Sequence, residues 1–163
     1  MLIQKINLIN TYLGKKFSWL LLFMVLITCI IVVLRYVFSI GFIWMQELVR
    51  YFYASVFLIC AAHTMVDDEH VRVDIIYSRL SNKNKAVINL LGNLFFLIPV
   101  CVTIFYFSFY YVINSWMQFE GSLEERGLHA VFILKSFIWL FAIMLFFQAV
   151  SGILTSIKII KEK

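Results

Sequence analysis

Four long apolar blocks, separated by short polar segments, make up almost the whole chain. The first carries no charge from Phe17 to Leu34 and continues through Arg35 to Phe38. The second runs from near Trp44 to near Val66, with Glu47 and Arg50 in its first two turns and no charge from Tyr51 onward. The third lies within the uncharged stretch Ala86 to Phe119, and the fourth extends from about Ala130 to Ile157 with Lys135 in its opening turns. A helix needs about 20 apolar residues to cross roughly 30 Å of hydrocarbon, so the pattern predicts four spans at about 17–38, 44–66, 87–117 and 130–157. The runs are continuous rather than alternating, which argues for helices and against a barrel. The third block exceeds the minimum and must tilt, bend or project, and Pro99, the only proline, is the expected bend.

Between the second and third blocks, Val73, Ile76, Tyr77 and Leu80 recur at helical spacing while Arg72, Asp74, Ser78 and Arg79 take the other faces. This predicts a short amphipathic helix lying on the membrane surface. Ser81 or Asn84 is placed to cap the third span. No linker or low-complexity run interrupts the pattern, so the expected fold is a single all-α integral membrane domain of four transmembrane helices.

Composition agrees: 63% of the 163 residues are hydrophobic and the mean hydropathy is +0.94, too high for an ordinary soluble domain. The net charge of +5 matters chiefly through its distribution. Lys5, Lys15 and Lys16 precede the first span, Arg72, Arg79, Lys83 and Lys85 lie between the second and third, and Lys158, Lys161 and Lys163 follow the fourth. The positive-inside rule then places both termini and the central loop in the cytoplasm. A cleavable signal peptide is the competing reading of the first block. Its apolar core is long for that role, and the bulky Arg35-Tyr36-Val37-Phe38 offers no small-residue cleavage site, so a retained anchor helix is expected. Nucleic-acid binding is not expected.

Chemical motifs are missing where an enzyme would need them. There is no phosphate-cradling glycine loop, no His-Glu-x-x-His, no Cys-x-x-Cys and no nucleophile elbow, which argues against an ATPase or hydrolase. Cys29, Cys60 and Cys101 lie singly in apolar blocks and read as small buried hydrophobes. A haem would need two histidines at similar depth, whereas His63 and His129 fall near opposite ends of the spans.

Arg35, Glu47 and Arg50 stand apart, because a charge at mid-bilayer costs on the order of 3 kcal/mol even on lenient insertion scales. Glu47 and Arg50 are i, i+3 and can pair locally. Arg35 is close enough in sequence to reach Glu47 or the last carbonyls of its own span. The plain reading is a charged clamp at interface depth, with Trp44 and Tyr36 as aromatic-belt anchors. The alternatives are an ion relay or a contact with a larger membrane partner. Glu120, Glu124 and Glu125 make the loop before the fourth span acidic, either a solvated turn or a contact surface. The aromatics Phe95, Phe96, Phe105, Tyr106, Phe107, Phe109, Tyr110 and Tyr111 crowd the third span and offer area for packing against lipid or another membrane protein.

The order Arg35-Tyr36-Val37-Phe38, then Trp44-Met45-Gln46-Glu47-Leu48-Val49-Arg50-Tyr51, then His70-Val71-Arg72-Val73-Asp74, resembles the small membrane subunit of tripartite ATP-independent periplasmic (TRAP) transporters, the DctQ-type family. Glu124, Gly127 and Lys135 match that family's later half more loosely. One departure is Gln46, where the family often has a second acidic residue. The resemblance implies a non-catalytic scaffold in the bacterial inner membrane, without a cofactor, bracing a larger membrane subunit that moves a small organic anion by a sodium-driven elevator motion. A soluble periplasmic binding protein would feed that partner. Arg35, Trp44, Glu47, Arg50, His70, Arg72, Asp74 and Glu124 are the implied structural or partner-contact residues. A stand-alone carrier using Glu47 as its coupling carboxylate, and a haem-bearing anchor subunit, are the competing classes.

Overall fold

The computed structural model describes residues 2–66, 77 and 80–161. Helix α1 spans Leu2–Val37 and α2 spans Ile43–Val66; α3 covers Asn82–Gly92, a π turn follows at Asn93–Leu97, α4 covers Ile98–Met117, and α5 covers Val131–Lys161. The described residues are helical apart from the connections. Four helical stretches, Ile3–Val37, Ile43–Val66, Asn82–Met117 and Val131–Lys161, are long and apolar enough to cross a membrane. The expected amphipathic helix over Val73–Leu80 falls largely outside the described residues.

Helix α1 starts well before its uncharged block, because nothing in Leu2–Lys16 breaks a helix. At about 1.5 Å per residue its 36 residues extend roughly 54 Å, so one end must project beyond the hydrocarbon. Its far end stops at a left-handed residue, Ser39 with φ 55°, and the Ile40 N–H turns back to the Leu34 carbonyl at 3.0 Å. Ser81 caps α3 by accepting the Asn84 N–H. The irregularity expected at Pro99 takes the form of the π turn just before it. There the Ile98 N–H reaches Asn93, and the wider turn relieves the clash between a proline ring and the preceding carbonyls.

The helices pack through small residues, as membrane helices do when no hydrophobic force drives them together. Helix α1 lies mainly on α2. At their crossing, a Cβ on Gly14 would fall 2.5 Å from the His63 ring, so only glycine permits this approach. The Cys60 thiol donates to the Gly14 carbonyl at 3.6 Å. The core is Ile59, Ala62, Cys101, Met144 and Leu145, surrounded by Leu13, Phe17, Leu97, Phe137 and Phe141. Phe109 stacks on Trp139 and Phe105 packs against it at a tilt, tying α4 to α5. By contrast Phe95, Phe96, Tyr106, Phe107 and Tyr110 point outward, and the second half of α1 is only half-buried at Met24, Ile27, Ile31 and Leu34 and exposed elsewhere.

Candidate functional site

Glu47 sits in the second turn of α2 and is only 6% exposed. A buried carboxylate needs donors, and they come from the connection between α4 and α5. The Ser122 hydroxyl donates to Oε1 at 2.5 Å, and the Leu128 backbone N–H donates to Oε2 at 2.6 Å. Arg50 lies 3.5 Å from Oε1 with its side chain 68% exposed, a weaker outer contact.

The connection is folded so as to present these donors. Ser122 Oγ, while donating to Glu47, accepts the Glu124 N–H at 3.1 Å. The Gly127 N–H returns to the Glu124 carbonyl, the Ser122 N–H to the Leu128 carbonyl, and the Val131 N–H to the Glu120 carbonyl. A Cβ on Gly127 would lie 2.2 Å from Ser122 Oγ and 2.7 Å from Glu47 Oε2, so glycine is needed for the loop to close over the carboxylate. Beside this cluster, the Lys135 ammonium pairs with Glu120 and stands 3.9 Å over the Tyr111 ring. That hydrogen bond holds the Glu120 carboxyl below its ordinary value. Lys135, in the opening turns of the fourth span, is turned into this pair. Trp116 donates its indole N–H to Ser136 at 2.7 Å and packs edge-on against Phe132, closing the same end between α4 and α5.

A second polar cluster lies at the opposite end. Asn10 donates its amide to the Gln148 carbonyl oxygen at 2.8 Å, and Ser151 donates to the Asn7 oxygen at 2.9 Å, with a longer Gln148-to-Asn7 bond at 3.4 Å. Asn10, Gln148 and Ser151 are all buried, and these bonds pin α1 to α5.

Of the residues singled out in the sequence, the structure brings Glu47 and Arg50 together and adds the Glu124 backbone, while the Glu124 side chain is exposed. Arg35, expected within reach of Glu47 or of its own terminal carbonyls, has neither contact among the described residues; it is exposed at the end of α1. Trp44 is partly exposed beside Phe42, its ring centroid 6.3 Å away. His70, Arg72 and Asp74 lie outside the described residues. Ser122, Leu128 and the Asn7, Asn10, Gln148 and Ser151 cluster were not singled out. The signal for the last was present: Asn10 and Gln148 are amides in otherwise apolar helices.

Four apolar helices tied at both ends by buried polar contacts define a multi-pass helical membrane protein. The family described as tripartite ATP-independent periplasmic transporters, DctQ component, matches residues 24–158. The chain belongs to this family and is a small TRAP transporter membrane subunit, a component that works with other TRAP subunits. No curated protein and no solved structure matched the chain.

Proposed function

We propose that this subunit is a non-catalytic brace for the large membrane subunit of a sodium-driven TRAP importer of small organic anions in the bacterial inner membrane. The observation that carries the reading is the state of Glu47. Both of its oxygens are engaged by the chain's own loop, so the one buried carboxylate among the described residues serves the fold rather than an ion path. A coupling carboxylate would have to exchange protons or ions with a passage. The clasps at both ends favour one stiff domain, and the outward aromatic face of α4 offers a wall against which a moving partner can work. The lysine-rich ends favour both termini and a surface-lying central segment on the cytoplasmic side. No cofactor is assigned to the chain; sodium coupling belongs to the partner, as does contact with the periplasmic binding protein.

Co-expression with the large permease subunit tests the reading. The two are expected to co-elute as a heterodimer, and liposomes containing this chain alone are expected to show no sodium-dependent uptake of a labelled carboxylate. Flux through the chain alone, lost in Glu47→Gln, would establish the stand-alone carrier instead.

A further inference from the structure

A groove of about 760 Å³ runs along the seam of α4 and α5. Val102, Phe105 and Phe109 form one wall, and Ala142, Ile143 and Phe146 the other. Ala142 is the smallest residue of the lining and leaves the seam open. From Cys101 to Tyr110 the α4 wall rises about 14 Å, roughly half of a 30 Å hydrocarbon layer, and no charged residue lines the groove.

Tyr106 stands on the rim of this groove, 72% exposed, and its hydroxyl has no hydrogen-bond partner among the described residues. Its depth makes that unusual. It lies about 7.5 Å along α4 from Tyr111, whose ring is under the Lys135 ammonium at the Glu47 end, and about 12 Å from the start of α4 at Ile98. Helical side chains lean toward the N-terminus of their helix, which for α4 is the end away from Glu47, so the hydroxyl is carried further into the hydrocarbon. Tyr53 is the opposite case. It is also exposed, but it follows the charged and exposed Arg50 by one turn on α2, whose N-terminus is the Glu47 end, and so leans back toward the membrane boundary.

The polar complementarity selects the occupant. An acyl chain has no acceptor to offer, so lipid in the groove would leave the Tyr106 hydroxyl unsatisfied in a medium without water. The bare face of α1 shows what suits lipid: from Leu20 to Leu34 its one hydroxyl, that of Thr28, is already bonded to the Met24 carbonyl at 2.7 Å. A second copy of this chain fits no better, because a two-fold contact sets a patch against itself and two concave grooves cannot fill one another. What matches is a different helix, whose side chains enter the groove while an electronegative atom meets the hydroxyl proton.

We infer, resting on the proposed pairing of this chain with the large membrane subunit, that the groove between α4 and α5 seats one transmembrane helix of that subunit, which presents a hydrogen-bond acceptor to Tyr106.

The test uses the full chain co-expressed with the large permease subunit. Photoreactive benzoylphenylalanine replaces either Ile143 in the groove or Leu26 on the bare face of α1, both exposed, and adducts formed on irradiation in the membrane are identified by mass spectrometry. The probe at 143 is expected to label the large subunit and the probe at 26 to label lipid. Adducts from 143 to lipid alone or to a second copy of this chain would overturn the site, and so would labelling of the large subunit from 26 but not from 143; in each case a heterodimer that still co-elutes leaves the pairing itself standing. Affinity is read by Förster transfer between fluorophore-tagged subunits in proteoliposomes. Tyr106→Phe keeps the ring and removes the donor, and should weaken the heterodimer about threefold, while Tyr53→Phe leaves it unchanged. Ile143→Trp fills the groove and should weaken it at least about tenfold without lowering the melting temperature of the isolated chain. Undiminished affinity in both Tyr106→Phe and Ile143→Trp overturns the site, and no transfer between the wild-type subunits overturns the pairing and the site together.

Discussion

Ser122 donates its hydroxyl proton to Glu47 across 75 positions of sequence, and Leu128 adds its backbone N–H across 81. The buried charge of the second span is thereby held by the loop that opens the fourth. Glu47→Ala would leave both donors without an acceptor, at about 1–3 kcal/mol for each group that stays buried. A large fall in the melting temperature of the purified chain is expected. Glu47→Gln keeps one acceptor oxygen and should fall between wild type and alanine. An alanine variant that melts with wild type would show the loop to be held by other means.

Gly127 supplies a separate test of the same clasp. Gly127→Ala forces a methyl group against Ser122 and Glu47, and overpacking of this kind costs about 1–3 kcal/mol. Gly41→Ala meets nothing within 4 Å and should leave the melting temperature unchanged. Equal melting of the two variants would argue against close packing over the carboxylate.

Arg35 divides fold from assembly. With no partner among the described residues, Arg35→Ala should not change the stability of the isolated chain. If the residue serves the complex, its loss appears only as a lower yield of heterodimer with the large subunit. A drop in stability of the isolated chain would contradict its exposed placement.

Asn10 and Gln148 lend themselves to a double-mutant cycle. Asn10→Leu or Gln148→Leu alone strands an amide, whereas the double variant removes both partners. Interhelical hydrogen bonds in membranes couple by about 0.6 kcal/mol on average and up to about 1.7. Unfolding in mixed micelles should therefore show the double variant less destabilised than the sum of the singles, and strict additivity would remove the bond.

Glu120 gives the cluster beside Glu47 an acid limit. Its folded value lies below its unfolded value of about 4.3, so its contribution is fully present above the unfolded value and disappears as pH falls through the folded one. The melting difference between wild type and Glu120→Gln should be constant from neutral pH to about 5 and shrink below about 4. A difference that grows on acidification would reverse the sign and exclude the pairing with Lys135 as its source.

Helix number and type were legible because continuous apolar runs of spanning length leave the backbone little choice in a bilayer. The cap of α3 was legible only as Ser81 or Asn84, both short polar residues at the head of the helix, and the fold selects Ser81. The partner of Glu47 was not: Arg35 is near in sequence, but satisfaction of a buried carboxylate is a matter of three-dimensional supply. The donors include a backbone N–H, which no side-chain pattern announces. Gly127 was visible as a family-like glycine, although its reason, the space occupied by Ser122 and Glu47, appears only in the folded loop. The π turn could not be told from the α-helix around it, because Pro99 marks where a helix is disturbed and not how it adjusts.

Both polar clasps join an early helix to a late segment, Glu47 to residues 122 and 128, and Asn10 to Gln148. During synthesis the first hairpin therefore enters the membrane with a carboxylate and an amide still seeking partners; the connection ahead of the last helix supplies those of Glu47, and only the last helix supplies that of Asn10. A chain stopped before residue 122 would leave both groups unsatisfied, a form that membrane quality control can distinguish from the finished subunit.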